Sequence, residues 1–442
     1  MIELNRNIAD KALEMAMEMG CSASRIVLNY NSNSCYTVRN DKLDRLHQAT
    51  GSSLYIQMFT EGRYGSFSTN RMNEAELRVF IKKTIEATKL LAPDTCRTLP
   101  PKELYYRENG DDLLQYDSSI QSADPSIKKD IAFKCASEVY GKDKRVLSVN
   151  SDYSDNEDCT YIIDSQGFAS ESRETIFTVT TECSVKDDSD ARPEGWWFHS
   201  SIFFDDLQRS GIGERALERA LSRLSPQKMR SGKYNVVLEN TVSNRVIAPI
   251  IAALNGAALQ QNNSFLKDKL GERLFPESLH LFDTPHIKRM FGARYFDGEG
   301  IATKPIDIIK DGIVNTYFIN TYYSNKLQIP VTIEGPSILQ CNLKAGKDSR
   351  NLEGILKEIG AGIFITGFNG GNSNSSTGDF SFGINGFYFE NGEILYPVKE
   401  MNITGNLISL WSDVIAIGND PMDTGRWRIP TLAFKNANLS GL

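Results

Sequence analysis

Two dipeptides in the second half of the chain restrict its fold more than any other feature. Asp311-Gly312 interrupts PIDIIKDGIVNTYFI, and Asn391-Gly392 interrupts GFYFENGEILYPV. Each stands between strand-like runs. A two-residue hairpin loop needs positive φ at both central positions, which Asp, Asn and Gly tolerate. From Gly232 onward the pattern therefore predicts an antiparallel-sheet domain with a few helices packed on it. Between the two hairpins lies TGFNGGNSNSSTGDFSFG, Thr366–Gly383. It lacks the GK[ST] ending of a phosphate loop and runs into no apolar-periodic helix, so it reads as a flexible loop or lid.

The first half reads differently. Ile8, Ala12, Leu13 and Ala16 mark an amphipathic helix stopped by Gly20, followed by short strand-like runs and a hairpin turn at Glu61-Gly62. Asn73 is an N-cap for a helix with Leu77, Phe80, Ile81 and Ile85 on one face. Pro93, Pro100 and Pro101 punctuate a linker. Asp124-Pro125 opens another helix, buried through Ile127, Ile131, Cys135 and Val139. Three strand-like runs follow, then a helix around Glu214–Leu224 that buries Leu217, Leu221 and Leu224. The fold class is α+β: an N-terminal α/β module (1–92), a Pro-rich linker (93–106), a middle α+β region (107–230) and the C-terminal antiparallel-sheet domain (231–442).

Charge and cysteine usage exclude some functions. The formal net charge is -7, and Lys and Arg are scattered without the basic stripe that phosphate contacts require, so no nucleic acid is expected. No apolar run approaches the ~20 residues of a membrane span, and the N-terminus is no signal peptide. The seven cysteines form no CxxC pair and read as reduced thiols of a cytoplasmic protein.

One stretch reads like a helix with a task. In NTVSNRVIAPIIAALNGAAL, Asn240–Leu259, Val242, Val246, Ile250, Ala253 and Ala257 recur at helical spacing, yet the segment has no His, Asp or Glu. Pro249 means that the helix begins near Ala248 or is kinked there. Metal chemistry elsewhere is thinly supplied. There are four histidines, and no His-Glu pair, so HExxH is excluded. His280 and His286 lie six apart around a proline, a poor metal arrangement that reads better as a surface or structural pair. In FDGEG, Phe296–Gly300, Asp297 and Glu299 are candidates for acid–base work or hard-cation binding. A tight turn with backbone hydrogen bonds to Asp297 is the favoured alternative. There is no GxSxG, and Cys341 has no His or Asn near it in sequence.

FGARYFDGEGIATKPIDIIKDGIVNTYFINTYYSNKL, TGDFSFGINGFYFENGEILYPVKEMNITGNL, VIAIGND and the early GSSLYIQMFTEGRYGSFSTN together resemble the TldD/PmbA family, once called modulators of DNA gyrase. The resemblance spans essentially the whole chain, and Asn263–Leu266 with the ENGEILYPV block is closer to the PmbA branch, also called TldE. In TldD, the helix matching Asn240–Leu259 carries HExxxH, whose histidines bind a metal, and a cysteine near the C-terminus completes the site. Here Glu239 precedes that helix, Ser243, Asn244 and Arg245 occupy its first turn, and no cysteine follows Cys341.

The resemblance implies a heterodimeric peptidase that trims short or unfolded peptides, microcin precursors and an antitoxin among them. This chain would be the non-catalytic subunit. It would bind no cofactor of its own, complete a chamber and hold an extended peptide by strand pairing, while a TldD-like partner supplies zinc. His286, Asp297 and Glu299 are the candidates for contacting peptide or for acid–base work. Two alternatives stand beside this reading. One is a free-standing homodimer that binds peptide or serves a structural role without proteolysis; the other is a hydrolase using Asp297 and Glu299 with a cation.

Overall fold

The computed structural model describes residues 5–107, 110–186, 192–343 and 350–441. Helix α1 (Arg6–Glu18) buries Ile8, Ala12 and Ala16, and the chain turns beyond it at Gly20, with φ +98°. Strands β1 (Ala23–Arg39), β2 (Lys42–Thr60) and β3 (Arg63–Thr69) follow. Glu61 and Gly62, both at positive φ, make the β2–β3 turn. Helix α2 (Glu74–Lys89) is capped by the Asn73 side chain, which accepts from the amides of Ala75 and Glu76. Helix α3 (Pro125–Ser137) is capped in the same way by Asp124. Ile127 in its first turn stays exposed, unlike Ile131, Cys135 and Val139, which are buried.

Strands β4 (Val146–Asp164), β5 (Ala169–Val185) and β6 (Glu194–Ser201) precede helix α4 (Ile212–Ser222). All six strands form one antiparallel sheet in the order β3-β2-β1-β4-β5-β6. β1 pairs with β4 from Arg25↔Asp164 to Arg39↔Asn150. The Pro-rich stretch 93–106 thus connects two parts of one sheet, because the second edge of β1 is satisfied by a strand that lies beyond it.

Two apolar clusters cover this sheet. α1 and α2 pack over Ile26, Leu28, Leu54 and Ile56, and α3 and α4 pack over Tyr36, Val38, Tyr153 and Phe177. Ile26, Leu28, Tyr36 and Val38 have the same parity on β1, so both clusters lie on one face. A polar waist separates them at Ser32 and Ser34, opposite Glu157 and Asp155.

The second half begins with β7 (Gln227–Lys228) and β8 (Gly232–Leu238), then helices α5 (Ala248–Ala253) and α6 (Gly256–Gln260). Next come β9 (Leu279–Asp283), β10 (Ile306–Lys310), β11 (Ile313–Val314), helix α7 (Thr321–Leu327), β12 (Leu339–Leu343) and helix α8 (Leu352–Ile359). The long strands β13 (Ala361–Ser373), β14 (Asp379–Glu390) and β15 (Glu393–Asn406) follow. Helix α9 (Leu407–Ser412), β16 (Val414–Ile417), β17 (Trp427–Arg428) and β18 (Leu432–Ser440) complete the described chain. The strands make a seven-stranded sheet, β16-β18-β8-β13-β14-β15-β7, and a five-stranded one, β11-β10-β9-β12-β17. Most pairings are antiparallel; β8–β13, β12–β17 and β7–β15 are parallel. Asp311-Gly312 and Asn391-Gly392 turn their hairpins with all four residues at positive φ. The architecture is α+β, as the patterning predicts.

Two local expectations need correction. Thr366–Gly383 is not a loop or lid: it is the end of β13, a turn, and the start of β14. Gly367, Gly370 and Gly371 fall at bulges in the ladder, and Phe368, Phe380 and Phe382 anchor the segment through aromatic contacts. Asn240–Leu259 is not one helix. A 3₁₀ turn (Ser243–Val246) leads into α5, where Pro249 sits in the first turn, and Asn255 breaks the path and caps α6. Its apolar pattern is core packing. Val246, Ile250 and Leu254 are buried, the Trp411 indole donates to the Val246 carbonyl at 3.1 Å, and a Cβ on Gly256 would meet Tyr323 of α7 at 2.7 Å.

Candidate functional site

The segment FDGEG forms the tight turn. Asp297 is 2% exposed, and its Oδ1 accepts from the amides of Glu299 and Ile301 at 2.9 and 3.0 Å. Its Oδ2 accepts from the Glu334 amide at 3.3 Å. Glu299 Oε2 accepts from both the amide and the hydroxyl of Thr321 at 2.8 Å, and the Glu299 carbonyl accepts from Arg25 Nη2. A third acid joins them. Glu334 is exposed as a residue, yet its carboxyl end would meet a Cβ on Gly298 at 2.9 Å. Burial, opposed by the backbone donors, raises Asp297 to about 6; burial and the neighbouring Asp297 and Glu299 charges raise Glu334 to about 7. Sequence reasoning missed Glu334, because no local pattern reveals which loop folds over the turn.

This acidic turn borders a cleft of about 740 Å³ between the first sheet and the second half of the chain. Tyr106 and Tyr295 stack in it with centroids 5.2 Å apart, and Arg173, Glu174 and Arg294 also line it. The histidines do not meet there as a pair. His286 Nε2 lies 3.0 Å from Thr303 Oγ1 and its ring rests on Tyr295, with burial lowering its pKa. His280 Nε2 lies 2.8 Å from Asp307 Oδ1 across the β9–β10 pair, and its ring stacks on Phe282. Among the described residues, no group of three or more His, Cys, Asp and Glu side chains is arranged to hold a metal ion.

Ser243, Asn244 and Arg245, the positions that the resemblance pairs with the metal helix of TldD, have other duties. Ser243 is fully buried, and its hydroxyl donates to the carbonyls of Leu238 and Glu239 at 3.3 and 2.9 Å. Asn244 is exposed. Arg245 lies over the Phe382 ring at 4.4 Å, and its Nη2 donates to the Gly371 carbonyl. Glu239 accepts from Arg219 Nη1 and Nη2 at 2.7 and 2.9 Å, a bidentate pair that also receives the Thr241 hydroxyl. A divalent metal here needs imidazole, thiolate or free carboxylate donors. The hydroxyl is committed to carbonyls, the one carboxylate is held by a guanidinium, and Arg245 brings positive charge. The residues present do not fit a metal.

Sequence reasoning also missed Arg219 and its neighbours. Arg215, Arg219 and Arg223 recur every fourth residue along α4, so helical periodicity could have shown them on one face; only the leucines of that helix stood out as a pattern.

The family model described as the PmbA/TldA metallopeptidase central domain matches residues 118–224, and the one for the C-terminal domain matches residues 231–441. "Metalloprotease PmbA" of Escherichia coli O157:H7 is 27% identical over 95% of this chain and 93% of its own length. The PmbA homolog of Haemophilus influenzae is also 27% identical, over 99% and 96%. Among solved structures, a protein of Bacteroides thetaiotaomicron described as a candidate modulator of DNA gyrase is 45% identical. It superposes with a TM-score of 0.96 over 99% of each chain. TldE from Thermococcus kodakarensis, 18% identical, shares the fold, with a TM-score of 0.84 over 98% of this chain and 100% of its own.

Proposed function

Because the chain belongs to the PmbA/TldD metallopeptidase family, we propose that it serves proteolysis as a non-catalytic subunit. It pairs with a TldD-like partner that carries the zinc, encloses a shared chamber and holds an extended, unfolded peptide against a sheet edge. The complex works in the cytoplasm, in keeping with a chain in which Cys21, Cys35, Cys96, Cys135, Cys159 and Cys183 are free thiols.

One observation carries this reading. The turn that the resemblance pairs with the metal helix of TldD is well packed, with Ser243 and Val246 buried, while the Ser243 hydroxyl and the Arg245 guanidinium are engaged by backbone carbonyls. A packed turn without imidazole, thiolate or free carboxylate donors fits a partner that shapes the site more than an enzyme in its own right.

The test is reconstitution. The purified chain alone should leave an unfolded peptide intact and retain no stoichiometric zinc after dialysis. Adding a TldD-type subunit should give cleavage that a chelator abolishes. Robust chelator-sensitive cleavage by the isolated chain, with contaminating protease excluded, would refute the assignment. Migration as a monomer with no shift on adding that partner would remove the subunit role.

A further inference from the structure

β2 runs past its outer neighbour. β3 pairs with it only from Leu54↔Thr69 to Thr60↔Arg63, and among the described residues no strand lies beyond β2 from Lys42 to Ser53. Its inner edge stays paired, in a register with β1 that runs without a shift from Phe59 to Arg45. Residues 42–52 are exposed, whichever face of the sheet they point to. In an antiparallel strand every second residue turns both its N–H and its C=O to the same edge. This stretch therefore presents a row of backbone donors and acceptors to water.

Proteins guard such edges with bulges, prolines or charges. β2 has little of that protection: from Leu46 to Ser53 it carries no Pro, Lys, Arg, Asp or Glu. The open edge of β13 differs. β13 outruns β8 past Ile365, but its ladder shifts after Ile365 and again after Phe368, and Arg245 Nη2 already donates to the Gly371 carbonyl at 2.9 Å. A bulged edge with a carbonyl engaged is a poor template for a regular strand; β2 is a good one.

A cavity of about 610 Å³ stands at the inner end of the β2 edge. Ser53 lines it together with Thr69 at the end of β3, Arg71, and Val79 and Phe80 of α2. Val79 is 55% exposed, an apolar side chain without cover. A chain laid against β2 in the line of β3 would bring its end to Ser53, and so to this cavity.

We propose that the outer edge of β2, from Lys42 to Ser53, takes an extended peptide as an added strand, with the residue at its end seated against Val79 and Phe80. The proposal rests on the peptide-holding reading and names the edge that does the holding. Backbone pairing is indifferent to sequence, as an unfolded peptide requires, and the cavity accepts a chain end. A second copy of this chain fits less well. Its β2 is one arm of a hairpin in which Arg39 pairs with Lys42 across Asn40-Asp41, so it has no free end to place there.

Hydrogen exchange on the full chain tests the location. The probe is a short peptide of alternating Thr and Val, blocked at both termini, with Leu at each end. At saturation it should slow the outward amides of Lys42–Ser53 by about tenfold or more and leave the edge of β13 unchanged. Gln48→Pro and Ala49→Pro form a pair, because successive residues direct their N–H to opposite edges. The one that melts with the parent has lost an outward donor, and it should bind the peptide about tenfold more weakly. Val79→Asp, at an exposed position, should weaken binding by about three- to tenfold, and it decides with the exchange data if both proline variants unfold. Binding that leaves 42–53 unprotected, or that neither the outward proline nor Val79→Asp weakens, would overturn the β2 site and leave the peptide-holding reading standing. Protection of 42–53 that rises with protein concentration in the absence of peptide would give the edge to a second copy and overturn the proposal. No binding at all would remove the peptide-holding reading, and this site with it.

Discussion

The polar waist of the first sheet and the open edge of β13 both gather charges out of water, and they settle them differently. In the waist, Lys128 Nζ meets Asp155 Oδ2 at 2.6 Å with side chains 8% and 4% exposed, and the hydroxyls of Ser34 and Tyr153 complete the same carboxylate. Arg173 meets Glu157 at 2.5 Å on the same face. At the β13 edge, Arg219 has its acid, whereas Arg223 and Arg245 hold only backbone carbonyls. Removing an ion from water costs several kcal/mol unless a partner answers it. A charge that serves the fold is therefore answered within the fold. Arg223 and Arg245 are held instead by backbone carbonyls, and Arg245 also by the face of Phe382.

The largest effect should come from breaking the waist. Asp155→Ala leaves Lys128 buried without its acid and should cost about 3–5 kcal/mol, read from denaturant unfolding. The double change Lys128→Met with Asp155→Leu should recover most of that loss, because a packed apolar pair needs no counter-charge. A single variant as stable as the parent would mean that the waist is hydrated and the contrast with β13 is not one of matched burial.

A smaller effect should follow pH at the acidic turn. Burial raises Asp297 from 3.8 to about 6 in the folded chain, so the folded state holds that proton more tightly than the unfolded state does. The resulting stabilisation is fully present below about pH 4 and is lost as pH rises through about 6, amounting to about 2–3 kcal/mol. Asp297→Asn keeps a side-chain acceptor for the turn amides and should flatten this part of the stability–pH curve. The residual slope near pH 7 would belong to Glu334, which is raised to about 7. An unchanged curve would show that Asp297 is ionised throughout.

The smallest effect sharpens the comparison most. Arg223→Gln removes a charge that makes no direct ion pair, so stability should change by no more than about 0.5–1 kcal/mol in either direction, in contrast with the waist variants. A loss as large as that of Asp155→Ala would make Arg223 a structural cation and equate the two regions.

Much of the architecture was legible residue by residue. Asn73 and Asp124 cap the helices they announce, and Glu61-Gly62, Asp311-Gly312 and Asn391-Gly392 turn where their dihedral preferences demand. Asp297 makes the tight turn that the FDGEG stretch suggests, accepting from the amides of Glu299 and Ile301. The Gly, Asn and Ser content of Thr366–Gly383 misled, since composition reports backbone freedom and says nothing of a neighbouring strand that removes it. The apolar period of Asn240–Leu259 misled in the same way: it encodes burial, which three short helical pieces satisfy as well as one long helix.

By itself, then, the sequence determined the caps, the tight turns and the α+β character, and it shows Ser243, Asn244 and Arg245 without imidazole, carboxylate or thiolate. These depend on the identity of a residue and its near neighbours, where φ, ψ and donor chemistry act over a few bonds. Only the tertiary structure decided that β1 pairs with β4 across the prolines, that Glu334 closes over Asp297, and that β13 outruns β8 among Arg219, Arg223 and Arg245. Each of those joins segments tens to more than a hundred residues apart. What brings them together is the need to pair every strand edge and bury every apolar face at once, which no short window of sequence contains.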